Sequence, residues 1–253
     1  MRQWLNLLTG ACIVAPGAPS GRPAPAAELI VRASMGAVSG LNELAPAFTR
    51  LTGHKLIISQ ESGAPLEQTL ATNAASDLIV QTTSVMNGVI ARGKVVGSSK
   101  IFTRAAVGLS VKSGAPWPDI STPDALKRTL LNARSIAYSL SGSGNVTARA
   151  IEKLDITEQM KSRTVRSVGG PAAGYVARGE VEMAIQQLNV STPVAGTDYV
   201  GDLPGDLHEY VVFAIAIMAV SKEQEAARAL IEFVTSAEAG PLLRKGMMEP
   251  ASH

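Results

Sequence analysis

The chain has one cysteine, two tryptophans, and aromatic residues at only 4% of its 253 positions. The cysteine, Cys12, lies in an N-terminal apolar stretch. The remaining chain therefore offers no disulfide, no thiol nucleophile and no thiolate metal site. Trp117 is the only tryptophan beyond residue 26, which argues against a sugar site built from stacked rings. An excess of one charge is also missing: 23 Lys and Arg face 21 Asp and Glu. Without a Lys/Arg cluster to track a phosphate backbone, nucleic acid is not an expected partner. Apolar runs stop short of the roughly 20 residues that span a bilayer. The longest late run, Tyr210–Val220, ends at Ser221-Lys222-Glu223.

Several motifs are absent too. His54 and His208 lack H-x-x-x-H spacing or a carboxylate companion for zinc, so no metal is expected. There is no G-x-S-x-G elbow and no G-x-x-x-x-G-K-[ST] loop. Gly142 and Gly144 begin a dinucleotide fingerprint but lack its third glycine, with Ala148 one place too far. No cofactor is expected.

Residues 1–26 read as a secretory signal. Arg2 precedes an apolar stretch over Trp4–Val14, and the run APGAPSGRPAPA ends in Ala24-Pro25-Ala26, a small-x-small cleavage pattern. Cleavage is expected after Ala26 or Ala27 and the location periplasmic. A lipoprotein signal ending at Cys12 and a disordered tail are the alternatives. Loss of Arg2 and Arg22 leaves 21 basic and 21 acidic residues, a formally neutral chain. Its length of about 227 residues allows two lobes.

Four times an apolar run ends in small hydroxyl or glycine residues and then turns helical. The loops are Ser34-Met35-Gly36-Ala37, Ser62-Gly63, Ser139–Asn145 and Gly169-Gly170-Pro171. A helix N-terminus carries unpaired N–H groups and partial positive charge, and small residues let an anion approach them. Ordinary N-caps use the same residues, which is the plain alternative. Strand candidates are Leu29–Ala33, Lys55–Ser59, Asp77–Gln81, Ala105–Val111, Ser135–Tyr138, Thr164–Val168, Glu182–Gln186 and Tyr210–Val220. Helical stretches alternate with them, beginning with Gly40–Thr52; Thr122-Pro123 marks one later helix start and a Ser221/Gln224 capping box another, so the expected fold is α/β with mostly parallel sheets. Connectors at Ser113–Pro123 and Gly201–Asp206 suggest a discontinuous layout. One lobe comprises 27–107 and 211–253, the other 108–210.

In open α/β sheets, ligands sit beyond the C-terminal strand ends. That rule gathers Ser34, Gly36, Ala37, Ser62, Gly63 and Thr83 from the first lobe. It adds Ser143, Gly144, Pro171, Ala172, Gln186 and Gln187 from the second. Arg32, near a buried strand end, either packs its stem with the head in solvent or pairs with a ligand carboxylate. Arg104 poses the same choice. Glu61 would repel an oxyanion if it faced one; it either pairs elsewhere or transfers a proton. Tyr138 reads as core packing, with hydrogen-bond donation to a ligand or a role as an acid the alternative.

The segments ASMGAV (Ala33–Val38), LAPAFTRLTGHK (Leu44–Lys55), Ser62-Gly63-Ala64, GAPWPDISTPDALK (Gly114–Lys127) and GMMEP (Gly246–Pro250) resemble the periplasmic molybdate-binding-protein-like solute-binding family. Gly93-Lys94-Val95, Ser135–Gly144 and Gly179–Gln187 extend the resemblance over residues 28–250. It implies a two-lobed type II periplasmic-binding fold with a hinge. Oxyanion contacts carried over fall on Ser34 or Gly36, Ser62, Ser143-Gly144, Pro171 or Ala172, and Gln186 or Gln187. The chain departs from molybdate binders in offering Gly36-Ala37 on the first loop and Gln187 where they have tyrosine. The subgroup is also similar to the aconitate isomerases. The resemblance implies a monomer that captures a small anion, an oxyanion or organic polycarboxylate, for an ABC-type membrane permease. The other class it implies is a cofactor-free isomerase of a tricarboxylate; Arg32, Glu61 and the helix N-termini are the candidate groups, Glu61 the candidate base, and no sequence signature picks out the base. A ligand sensor without transport is the third reading. Glu61 in the cleft beside Arg32 would favour carboxylate chemistry, and Glu61 facing solvent would favour capture.

Overall fold

A computed structural model describes residues 26–251. The expected signal over 1–26 lies, Ala26 apart, outside them. The βα alternation comes first. β1 (Glu28–Ala33) leads into α1 (Met35–Thr52), β2 (Lys55–Gln60) into α2 (Ala64–Thr72), and β3 (Leu78–Thr82) into α3 (Thr83–Ala91). Every second residue of β1 is fully buried (Leu29, Val31, Ala33), whereas β3 buries Leu78, Ile79 and Val80 in succession. That continuous run is what a strand covered on both faces requires. In α1, Ala37, Leu41, Leu44 and Phe48 recur every three or four residues and form one buried face.

β4 (Val95–Lys112) then carries the chain to a second set of units. These are α4 (Pro123–Asn132), β5 (Ile136–Ser139), α5 (Ser143–Lys153), α6 (Thr157–Lys161), β6 (Thr164–Ser167), α7 (Ala173–Ala177), β7 (Met183–Gln187), α8 (Leu188–Ser191) and β8 (Thr197–Asp202). β9 (Tyr210–Met218) returns to the first set, followed by α9 (Gln224–Val234), α10 (Ala239–Lys245) and β10 (Glu249–Pro250). The strands form one 10-stranded sheet in the order β2-β1-β3-β9-β4-β7-β5-β6, with β8 and β10 also on β4. Ladders among β1, β2 and β3 and among β5, β6 and β7 are parallel. Those made by β4 and β9 are antiparallel. β4 changes partners midway: Val95–Ala106 pairs with β9, and Val107–Lys112 with β7 and β8. Two parallel βα clusters thus share one strand.

Sequence reading and structure differ at identifiable places. β4 extends well before the expected Ala105, through the polar stretch Gly97-Ser98-Ser99, because register shifts against β9 absorb the irregularity. β8 covers part of the expected connector Gly201–Asp206, held by β4 with a bulge between Leu109 and Ser110. α1 begins at Met35 rather than Gly40. Its glycines are poor helix formers, but Gly40 lies so close to Met248 and Leu243 that a Cβ there would stand 2.8 Å from Met248 Sδ. Thr122 caps α4 as expected, accepting from the Ala125 N–H at 3.1 Å, with Pro123 in the first turn. Ser221 does not form the expected capping box with Gln224. α9 starts after Glu223, and the Ser221 hydroxyl instead donates to the buried Asp77 carboxylate at 2.7 Å, a charge-assisted bond.

Gly108 marks where β8 closes on β4. A Cβ there would collide with the Gly201 carbonyl and the Tyr199 hydroxyl. Gly108→Ala is expected to destabilise the protein by about 3 kcal/mol or more, the upper end for overpacking. Urea unfolding checks this, and a loss under about 1 kcal/mol would contradict the close packing of β8.

Candidate functional site

A cavity of about 460 Å³ opens at the C-terminal ends of six strands: β1, β2 and β3 on one side, β5, β6 and β7 on the other. This volume falls in the range of small-molecule sites. Its wall is built from strand-to-helix junctions. Ser34 precedes α1, Gly63 precedes α2, Thr82 precedes α3 and Gly142 precedes α5. Gly63 and Gly142 both hold φ 58°, a left-handed turn that lets the chain reverse from strand to helix and that side chains other than glycine resist. The residues preceding these four helices all line the cavity, so the helix N-termini, which carry partial positive charge, stand at its wall.

The side chains add donors. Ser34 is an N-cap whose hydroxyl makes no cap bond, and its Oγ is buried without a partner. Ser167 Oγ, at the end of β6, is likewise buried and unpartnered. Gln186, fully buried on β7, accepts the Ala172 N–H on Oε1 at 2.7 Å, which turns its amide nitrogen away; Nε2 has no partner. Buried polar groups are normally satisfied; three residues of the cavity lining hold buried polar atoms with no protein partner, and Ser110 Oγ, Asn189 Oδ1 and Ser191 Oγ share that state outside the lining. Among the described residues, no ionisable side chain lines the cavity.

Of the residues expected from sequence, Ser34, Gly36, Ser62, Gly63, Gln186 and Gln187 line the cavity together. Gly36 sits so close to Gln187 that a Cβ would stand 2.5 Å from Nε2 and 2.7 Å from Phe213 Cζ. Ala37 is buried in the core below the first loop. Thr83, Ser143, Gly144, Pro171 and Ala172 lie next to lining residues rather than among them. Ser143 Oγ is 3.2 Å from Ser139 Oγ, and the Gly144 N–H donates to Ser139 Oγ at 3.1 Å. Ser139 is in contact with the cavity. Gln60, Ser167 and Phe213 are not singled out by the sequence, and Ser139 is marked there only as the start of the third loop. Gln60, Ser139 and Ser167 end their strands and Phe213 lies within β9 opposite Thr82, placements that depend on register.

Arg32 and Glu61 form a pair outside the cavity lining. Arg32 Nη1 meets Glu61 Oε1 at 2.5 Å, Nε reaches Ser76 Oγ at 3.1 Å, and Nη2 reaches the Ala75 carbonyl at 2.7 Å. Glu61 also accepts from Ser59 at 3.0 Å and Thr69 at 2.7 Å, so both carboxylate oxygens are engaged. Glu61 therefore neither faces solvent nor lines the cleft. Arg104 pairs with Glu249 at 2.8 Å and covers the Tyr210 ring at 4.1 Å. Tyr138 belongs to the core, with Arg166 over its ring at 4.4 Å. Among the described residues, no group of three or more His, Cys, Asp or Glu is placed to hold a metal, and no helix is long and apolar enough to cross a membrane.

The family model for bacterial extracellular solute-binding proteins matches residues 29–247. The chain belongs to this family. Among relatives of this solute-binding protein, an aconitate isomerase from a Pseudomonas species is 32% identical over 254 residues, spanning 97% of this chain and 96% of that one. The molybdate-binding protein ModA of Azotobacter vinelandii is 26% identical, spanning 87% of this chain and 89% of its own. The solved periplasmic molybdate-binding protein of the same organism matches with a TM-score of 0.69 at 18% identity, covering 87% of this chain and 98% of that one. The fold is the two-lobed type II periplasmic-binding fold, as the resemblance implied. The molybdate-binding-like resemblance of the sequence is likewise borne out.

Two outcomes follow for this solute-binding protein. Glu61→Gln breaks a largely buried ion pair and strands Arg32; with the side chains 19% and 10% exposed, the loss is expected at about 2–4 kcal/mol, slightly under that of a fully enclosed pair. Thermal unfolding measures it, and an unchanged midpoint would contradict the pair's supporting role. Ser34→Ala and Ser167→Ala should split in sign. Each removes an orphaned hydroxyl, so the free protein keeps or gains stability, while affinity for an anion falls by about 1–3 kcal/mol. Paired unfolding and titration experiments test the split; a loss of stability with full affinity would contradict it.

Proposed function

We propose that this protein captures a small anion in the periplasm and delivers it to an ABC-type membrane permease. One observation carries the reading: the residues lining the cavity hold buried neutral polar atoms that have no partner, Ser34 Oγ, Ser167 Oγ and Gln186 Nε2, beside four helix N-termini. Such dipoles stabilise a negative charge and bring in no fixed cation, so ligand release does not require breaking a buried ion pair. In this reading residues 27–107 and 211–253 form one lobe and 108–210 the other. The lobes close over the ligand by bending where β4 exchanges β9 for β7. Cleavage near Ala26 releases a monomer that needs no cofactor. Contacts from Ser62 and Gly63 on one side, and from Gln186 and Gln187 on the other, complete the grip.

A second reading rests on the 32% identity to an aconitate isomerase: a cofactor-free proton shift within a tricarboxylate. Such a shift needs an acid or base within hydrogen-bond reach of the reacting carbon. The cavity lining contains no ionisable group among the described residues, and Glu61 is occupied by Arg32, Ser59 and Thr69. These facts support capture over turnover.

Incubation with cis-aconitate, followed spectroscopically for the trans isomer, separates the classes. The expected result is saturable binding of an anion with no isomerisation. Turnover above about 1 s⁻¹, the low end of ordinary enzyme rates, would replace capture by catalysis.

A further inference from the structure

The cavity has a second character that donors alone do not explain. β5 and β6 run in parallel register with Ser139 opposite Ser167. The residues that follow the two strands, Leu140 and Val168, therefore emerge side by side at the cavity mouth. Both line it, and both are largely exposed, at 57% and 71%. Scattered exposed apolar residues need no explanation, but two neighbours on one binding cavity form a shelf whose water a ligand can displace. Across the cavity, Met35, Pro65 and Phe213 continue the apolar surface. A hydroxyl pair is thus followed, one residue further out, by an aliphatic pair.

An oxyanion held by polar donors alone would make no use of the Leu140–Val168 shelf.

We propose that the ligand is an organic carboxylate whose hydrocarbon part lies on the Leu140–Val168 shelf, rather than a tetrahedral oxyanion. This rests on the reading of the cavity as an anion site. The carboxylate takes the donors of Ser34, Ser167 and Gln186, and the carbon skeleton displaces water from the two aliphatic side chains. Leu140 and Val168 then set specificity without touching the charge.

The test is a calorimetric titration of the mature protein with dianions that differ in hydrocarbon content: sulfate, molybdate, succinate and methylsuccinate, with both aconitates alongside. The organic acids are expected to bind at least tenfold more tightly than the oxyanions. The added methyl should strengthen binding about fourfold, the worth of one buried carbon. The double variant Leu140→Ser/Val168→Ser should lose at least tenfold for the organic acids and stay within twofold for the oxyanions. Its unfolding midpoint should be unchanged, because both side chains are exposed. If the oxyanions bind as tightly as the organic acids, or the double variant keeps full affinity, the shelf proposal is overturned while the anion site stands. If none of the anions binds, both are overturned.

Discussion

The antiparallel pairing of β4 with its neighbours is the constraint on which the rest of the molecule depends. Every backbone N–H and C=O in a buried strand needs a partner, and β4 finds them first on β9 and then on β7 and β8. That exchange joins two parallel βα clusters through a single continuous strand. It brings the C-terminal ends of β1, β2 and β3 to face those of β5, β6 and β7. The cavity is a consequence of this geometry: parallel strands direct their following helices, and hence the helix N-termini, to one end. Close approach along β4 is part of the same constraint, which is why Gly108 has no room for a side chain beneath Tyr199 and Gly201.

Charge is distributed to suit this arrangement. The strong ionic contact near the cleft, Arg32 with Glu61, stands behind the first loops and is saturated by Ser59, Ser76, Thr69 and the Ala75 carbonyl. It anchors β1 to β2 and α2, and so fixes where Ser34, Ser62 and Gly63 stand. The cavity itself is left to hydroxyls, amides and backbone dipoles. Neutral donors in a preformed frame stabilise an anion with little reorganisation, whereas a fixed guanidinium would bind more strongly and release more slowly.

One scaffold here has relatives described as a binding protein and as an isomerase. Function resides in the site and not in the architecture, so the two names do not by themselves decide between the two for this chain. Both need a ligand seated in a site. Only catalysis also requires a titratable group aimed at the reacting carbon, and in this chain the nearby carboxylate of Glu61 is turned inward and fully bonded.

The sequence by itself determined the alternation of strands and helices, the glycine turns at Gly63 and Gly142, and the Thr122-Pro123 start of α4. These are local effects: periodicity, left-handed backbone and capping act within a few residues. Six lining residues were legible for the same reason, because loops at strand ends announce themselves in small and hydroxyl residues. What the tertiary structure alone decided depends on contacts between distant segments. β8 forms because β4 is there to pair with it, although its Gly and Asp residues read as a connector. Ser167 and Ser139 reach the cavity because register sets which strand residue comes last. Arg32 finds Glu61, 29 residues away, and so is absent from the cavity lining. The Leu140–Val168 shelf exists only because β5 and β6, separated by two helices in the chain, run side by side. Pairing partners and register are cooperative properties of the whole sheet, and no local pattern in the chain encodes them.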